Sequence, residues 1–112
     1  MILVHAYIPS AAQVTAVSEG VPAILSRART VVCDRWGGMT ISYSTGLWKN
    51  DSGLVEIEHV ELWHVECDEP RVDVYVSDWW RTFLSVLARD LGQTELRMCM
   101  MHGDSIVMRV DA

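Results

Sequence analysis

The sequence is short of positive charge. Nine Lys and Arg residues stand against fifteen Asp and Glu, which gives a net charge of -6. A protein that binds nucleic acid through its phosphates needs a broad basic surface, so the composition argues against that class. No apolar run approaches the roughly 20 residues that span a bilayer, and the first residues lack the basic start of a secretion signal. We therefore expect a soluble, cytoplasmic protein.

Motifs that announce a chemistry are also missing. Cys33, Cys67 and Cys99 are odd in number and widely spaced, which fits neither a disulfide framework nor a zinc ribbon, so we expect reduced, inert thiols. The sequence has no P-loop, dinucleotide-binding glycine motif, helix-turn-helix or nucleophile elbow. Without repeats or linkers, the 112 residues are expected to form a single α+β domain, residues 1–112. We predict no cofactor.

The strongest pattern that is present is a long β-hairpin between Trp36 and Cys67. Met39, Ile41 and Tyr43 alternate with small polar residues, residues 49–53 are typical of a turn, and a long return strand follows. The sequence also predicts strands at residues 2–8, 93–101 and 106–110, a helix from Val21 to Trp36, and a second helix from about Ser77 to Leu91. A weaker pattern favours a short helix over residues 11–19.

This order predicts the ferredoxin-like α+β sandwich, βαββαβ plus a short terminal strand, with an antiparallel sheet and two main helices on one face. The helices should cover one set of strand residues: Met39, Ile41, Tyr43, Val55, Ile57, Leu96 and Met98. The opposite face, which we call the open face, should carry Leu3, His5, Tyr7, Val60, Leu62, Cys99 and Met101. Because that face is too apolar to be left wet, we expect the terminal strand, a second copy in a homodimer, or a partner to cover it.

Four short motifs carry a resemblance to other sequences. They are Trp-Gly-Gly-Met-Thr at 36–40, Gly-Leu-Trp at 46–48, the acidic Glu58, and Leu-Gly-Gln at 91–93. Together they resemble a loose group of small uncharacterised phage and mobile-element α+β proteins. The resemblance implies an accessory role and supplies no chemistry.

Acidic residues are concentrated in the return strand of the hairpin. Between Leu54 and Glu69 there are six acids and no Lys or Arg: Glu56, Glu58, Glu61, Glu66, Asp68 and Glu69. A strand of carboxylates can imitate a row of phosphates and occupy a basic groove. With the resemblance, this favours a non-enzymatic accessory binding protein of a phage or mobile element, such as an anti-defence, anti-CRISPR-like inhibitor. Its partner would be a host nucleic-acid-handling protein within a defence complex.

The alternative is a small dimeric α+β barrel enzyme, or a small-molecule binder, that uses the open face. His5, Tyr7, Glu58, His64 and Arg97 can share that face, where a histidine beside a carboxylate could titrate near neutral pH. Two His–Glu pairs, His59 with Glu61 and His64 with Glu66, have a spacing that a metal can use. Since the two pairs point to opposite faces of one strand, we predict no metal site.

Two adjacent tryptophans lie in the second predicted helix. Trp80 aligns with the apolar stripe of Phe83, Leu84, Leu87 and Leu91, so it should be the core residue. Trp79 should lie at the edge of the stripe, where it is partly exposed and available as an anchor for a partner.

Overall fold

The central strand of the sheet is the first one in the chain. A computed structural model describes residues 2–10, 20–68, 73–102 and 104–112. Its elements are β1 (Ile2–Pro9), α1 (Val21–Trp36), β2 (Thr40–Lys49), β3 (Val55–Cys67), α2 (Asp73–Asp90), β4 (Glu95–His102) and β5 (Asp104–Asp111). The strands form one antiparallel sheet in the order β2-β3-β1-β4-β5. The predicted α+β class, antiparallel sheet and two long helices are therefore confirmed.

The terminal strand does not cover the open face. β5 pairs with β4 from Glu95↔Asp111 to His102↔Asp104, so it lies at the edge of the sheet. A tight reversal after His102 leaves the chain too little length to cross the sheet, and it pairs with the strand it has just left. Within the described part of the chain, no helix is long and apolar enough to cross a membrane.

The first long helix has the predicted bounds. Pro22 stands in the first turn of α1, where its missing N–H has no cost, and the helix buries Val21, Ile24, Leu25, Ala28 and Val32. Gly37 ends it with a left-handed φ of 94°, and its N–H donates to the Cys33 carbonyl at 2.8 Å. The predicted helix over residues 11–19 lies outside the described residues.

The core lies between the helices and one face of β1, β3 and β4. Val4, Ala6, Trp63 and Val65 are fully buried. Cys67 completes this layer, and its Sγ accepts a hydrogen bond from Trp80 Nε1 at 3.3 Å. Burial raises the pKa of the Cys67 thiol to about 11, against smaller lowering effects of Trp80 and Arg35. The thiol is therefore protonated at neutral pH, as expected of an inert packing residue.

The hairpin is longer than the rest of the sheet. Pairing of β1 with β3 ends at Pro9↔Val60, and apart from a hydrogen bond that Ser10 N–H donates to the His59 carbonyl at 3.0 Å, residues 45–49 and 55–59 pair with each other. We call these two segments the hairpin arm. The prediction that helices cover Tyr43, Val55 and Ile57 is wrong, because they are 75%, 64% and 61% exposed. They lie on the helix side of the sheet, but at or beyond the last residues that the helices reach.

The two adjacent tryptophans of α2 have the predicted roles. Trp80 is fully buried, while Trp79 is partly buried and packs against the core from its edge. The Trp79 ring stacks on Phe83 with centroids 5.0 Å apart and meets Trp36 edge-on at 5.5 Å. Aromatic neighbours on α1 and α2 therefore cover part of the Trp79 ring, and Trp79 also lines a hollow between the two helices.

Replacing each tryptophan should give unequal losses of stability. Trp80→Ala leaves a large cavity under α2 and should lower the free energy of unfolding by about 3–5 kcal/mol. Trp79→Ala should cost about half as much, because the space it leaves opens to solvent. Paired chemical denaturation measures both values. Equal losses would mean that Trp79 supports the core as much as Trp80 does.

Candidate active site on the open face

The acids of β3 do not form one surface. Glu61 is 3% exposed, and it lies on the helix side of the sheet because its parity matches that of Trp63 and Val65. Its carboxylate takes two hydrogen bonds of 2.7 Å from Arg29 Nη2 on α1 and one of 3.1 Å from Trp63 Nε1. The prediction that Glu61 binds a partner is therefore wrong: this carboxylate holds α1 on the sheet.

The other acids are divided between the two ends of the strand. Glu56 is exposed on the arm and accepts a hydrogen bond from Asn50 Nδ2 at 3.1 Å, and Glu58 is half-buried nearby. Glu66 and Asp68 are exposed at the far end. Eight residues of strand separate Glu58 from Glu66, a span of about 26 Å. Glu69 lies outside the described residues.

Two histidines meet in the middle of the open face. His5 and His64 are partners in the β1–β3 ladder, and their ring centroids are 4.4 Å apart. His64 Nε2 lies 3.1 Å from the Ser42 hydroxyl on β2. Burial lowers the pKa of His5, and the positive charge of His64 lowers it further.

Arg97 and Trp48 meet at the other end of the face. The Arg97 guanidinium carbon lies 3.3 Å from the centre of the Trp48 ring, although β3 and β1 separate their strands in the sheet. The hairpin arm must therefore curve over the open face. Trp48 lies against Gly46, where a Cβ would come within 2.9 Å of the indole Nε1. The Gly-x-Trp motif thus has a packing cause, since only glycine leaves the indole this space.

A pocket of about 530 Å³ opens at the start of β2. It is lined by Leu3, Trp36, Gly37, Gly38, Met39, Thr40, His64, Glu66 and Asp68. One wall is the glycine pair, which lets a ligand approach the backbone closely. The opposite wall carries two carboxylates and no Lys or Arg, so the pocket favours a cationic or hydroxyl-rich ligand. We call it the glycine pocket.

An unused donor lies beside this pocket. The Nε1–H of Trp36 is buried and has no hydrogen-bond partner among the described residues. A buried donor without a partner costs about 1–3 kcal/mol. A ligand oxygen or nitrogen that accepted a hydrogen bond from this N–H would recover that energy. Two other hollows of similar volume lie on the outer side of the helices, between α1 and α2 and between α2 and β5. Both are shallower.

The structure brings together four of the five residues proposed for an open-face pocket. His5 and His64 are in contact, and Tyr7 and Arg97 are ladder partners in the next row. Glu58 lies on the arm opposite Gly46, next to the Trp48 indole. In the part of the chain that is described, no three His, Cys, Asp or Glu side chains cluster as metal ligands.

Sequence reasoning missed the glycine pocket and the role of Trp48. The Trp48 side chain is 37% exposed on the open face. The signal was in the motifs themselves, because Trp-Gly-Gly-Met-Thr and Gly-Leu-Trp mark the two ends of this face.

Comparisons with known proteins found solved structures that share this fold. No family model matches the chain, and a search of curated proteins gave no match. Two solved structures are similar to it. A phage SAM lyase in complex with S-methyl-5'-thioadenosine has a TM-score of 0.70 and 11% sequence identity, over 99% of this chain and 89% of that one. A phage SAM lyase in its apo state has a TM-score of 0.70 and 10% identity, over the same shares.

These likenesses correct the functional prediction. The sequence favoured a non-enzymatic inhibitor, but the chain shares its fold with a phage SAM lyase, and the acidic strand on which the inhibitor depended is split between two faces and two ends. The anti-CRISPR interpretation has no support in these findings. At this identity the likeness shows the fold alone, so the chemistry must be argued from the residues of the open face.

The Arg29–Glu61 ion pair can be tested through stability. Glu61→Gln removes the charge while keeping an acceptor for Trp63, and it should destabilise the protein by about 3 kcal/mol because a half-buried guanidinium loses its partner. Glu56→Gln, on the same strand but exposed, is the control and should change little. Chemical denaturation compares them. Equal, small losses of stability in the two variants would show that water solvates the Arg29 guanidinium as well as Glu61 does.

Proposed function

We propose that the protein is a lyase that cleaves S-adenosylmethionine (SAM) and releases S-methyl-5'-thioadenosine. The observation that carries this is the glycine pocket: a nucleoside-sized, acidic pocket on the open face of a fold shared with a phage SAM lyase. A volume of about 530 Å³ is within the range of small-molecule sites.

The lining of the glycine pocket suits a nucleoside that carries positive charge. Leu3, Met39 and the Trp36 side chain offer apolar surface for a base, and the glycine pair lets the base approach the backbone. Glu66 and Asp68 can accept hydrogen bonds from ribose hydroxyls, as carboxylates do in dinucleotide sites. Their charge also attracts a ligand whose sulfonium and ammonium groups are positive.

The proposed reaction breaks the bond between the sulfonium sulfur and Cγ of the methionine portion. The electron pair of that bond goes to sulfur, which becomes the neutral thioether of S-methyl-5'-thioadenosine. The carboxylate of the same substrate forms a new C–O bond to Cγ, so the four-carbon fragment closes to a lactone. The step balances without a proton or a water molecule.

The protein's task in this reaction is to position and desolvate the substrate. A positive sulfonium and a negative carboxylate cancel as the step proceeds, so removing water from them favours the reaction. The open face is half-buried at Leu3, Tyr7 and Leu62 and can do this. Holding the carboxylate near Cγ also lowers the activation barrier, because reactants held in a near-attack geometry lose little further entropy in reaching the transition state.

The proposed activity is tested by incubating the protein with SAM and following products by mass spectrometry. We expect S-methyl-5'-thioadenosine and the lactone in equal amounts. When the reaction is run in ¹⁸O-labelled water, the four-carbon product first formed should carry no ¹⁸O. If the first four-carbon product were ¹⁸O-labelled homoserine, the reaction would be hydrolysis and the proposed lyase reaction would be wrong. No consumption of SAM at high protein concentration would overturn the proposal.

Two variants on one strand place the reaction in the glycine pocket. Glu66→Gln should lower kcat/KM for SAM by about 10- to 100-fold, the effect expected when a charged hydrogen bond is lost. Glu56→Gln carries the same change on the same face of β3, but on the arm, and should leave kcat/KM within about twofold. If both variants keep full activity, the substrate binds elsewhere.

Three further expectations accompany this function. We infer that β1 to β4 with the two helices form a ferredoxin-like unit to which β5 adds an edge, an inference supported by the strand order. The phage neighbours support a role in a phage or mobile element, acting in the host cytoplasm. A homodimer also stays a proposal, supported by the exposed apolar residues of the arm, Leu47 and Ile57 among them.

Self-association should depend on the arm. Leu47 and Ile57 are cross-strand partners, 65% and 61% exposed on the same face. Leu47→Lys should shift the protein toward a monomer of 12.6 kDa in light scattering, because a charge in an apolar contact must be desolvated. Leu54→Lys, at the tip of the hairpin, is the control. A wild-type monomer at all concentrations would end the proposal.

A further inference from the structure

Arg97 has hydrogen-bonding capacity that the described protein does not use. A guanidinium carries five N–H donors, yet no carboxylate of the described residues lies within ion-pair distance of Arg97. Its contact is the Trp48 ring, 3.3 Å from the guanidinium carbon. In a chain with fifteen acids, a half-buried arginine held in place without a carboxylate is unusual.

The Trp48 contact prepares the guanidinium for an anion. Stacking occupies one flat side of the group and fixes its plane, while its edges remain available for two parallel N–H···O bonds. That fork matches a carboxylate. Since side-chain freedom is already lost in the stacked state, a bound carboxylate costs less entropy than one captured by a mobile arginine.

Arg97 lies at a useful distance from the glycine pocket. His64 lines the pocket, His5 is its ladder partner, and Cys99 is the partner of His5 on β4. Arg97 is one same-face position along β4 from Cys99. Strand spacing and rise therefore put its Cα about 12 Å from that of His64. One ligand the size of SAM, a nucleoside joined to a four-carbon amino acid, can therefore reach from the pocket to Arg97.

We propose that Arg97 is a specificity residue that binds the carboxylate of the substrate's amino-acid portion, with Trp48 holding the guanidinium in place. This assignment rests on the proposed function, since it takes the substrate to be a nucleoside joined to an amino acid. The nucleoside occupies the glycine pocket, the sulfonium lies over the His5–His64 pair, and the carboxylate ends at Arg97. The guanidinium fork holds both carboxylate oxygens, and one of them still has a lone pair on the Cα side with which it can reach Cγ.

The proposed reaction makes a sharp kinetic demand on such a residue. The carboxylate loses its charge as the C–O bond forms, so Arg97 binds the ground state at least as strongly as the transition state. Interactions of that kind lower KM and do not raise kcat. Arg97→Met should therefore raise KM for SAM by about tenfold or more while kcat stays within about threefold.

Two ligands that differ in the carboxylate provide the direct test. S-Adenosylhomocysteine has the carboxylate and no sulfonium, so it binds without being cleaved, and S-methyl-5'-thioadenosine lacks the amino-acid portion. Calorimetry should show that Arg97→Met weakens the binding of S-adenosylhomocysteine by about tenfold or more. The same substitution should weaken the binding of S-methyl-5'-thioadenosine by less than about twofold. Arg97→Lys keeps the positive charge but loses the two parallel N–H donors, so its affinity for S-adenosylhomocysteine should lie between those of the wild type and Arg97→Met. Arg89→Met, an exposed arginine of α2, is the control.

The outcomes separate this assignment from the proposed reaction. Equal weakening of both ligands would mean that Arg97 only holds the arm, and unchanged binding of both would place the carboxylate elsewhere. Either result overturns the assignment while SAM cleavage by the wild type stands. If the wild type discriminates between the ligands through Arg97 but does not cleave SAM, the reaction falls and the assignment stands. Binding of neither ligand removes both.

Discussion

The mismatch in length between β1 and β3 determines the shape of the open face. Proline has no N–H to donate to a ladder, and Pro9 ends the pairing of β1 at Val60. β3 begins five positions earlier, at Val55, so this part of the hairpin has β2 as its one strand partner. A two-stranded segment is free to twist more strongly than a sheet. This freedom brings Trp48 from the edge strand β2 to Arg97 on β4, across the two strands β3 and β1.

The face under the helices is held by a different kind of contact. Alternation along β3 turns Glu61, Trp63 and Val65 inward, and the carboxylate among them must find a cation or remain charged in an apolar layer. Arg29 supplies it from α1. The same alternation turns Leu62, His64 and Glu66 outward, where they border the glycine pocket or the row beside it. One strand thus serves as a structural element on one side and as a wall of the proposed active site on the other.

Much of the fold follows from local patterns in the sequence. The strand at residues 2–8, the helix from Val21 to Trp36 and the buried Trp80 face of α2 were all predicted, because each depends on residues near one another in the chain. The site was predicted only in part. His5, His64, Tyr7 and Arg97 could be assigned to one face from parity, and the register then placed them in adjacent rows.

What the sequence could not provide depends on three-dimensional curvature and on the ends of neighbouring elements. The exposure of Tyr43, Val55 and Ile57 depends on where the helices stop, which no pattern within the hairpin reveals. The burial of Glu61 depends on Arg29, 32 positions away. The Trp48–Arg97 contact requires the arm to bend, and the glycine pocket requires the end of α1 to meet the end of β3.

The contact between His5 and His64 makes the open face harder to protonate than two separate histidines would be. An unfolded chain can protonate both His5 and His64 as the pH falls below about 6.5, whereas burial and then the charge of His64 lower the pKa of His5 in the folded protein. Below that pH the unfolded chain binds more protons, so acid removes stability until the pH has passed through the lowered pKa. Mild acidification therefore acts on the centre of the open face, where the two imidazoles meet.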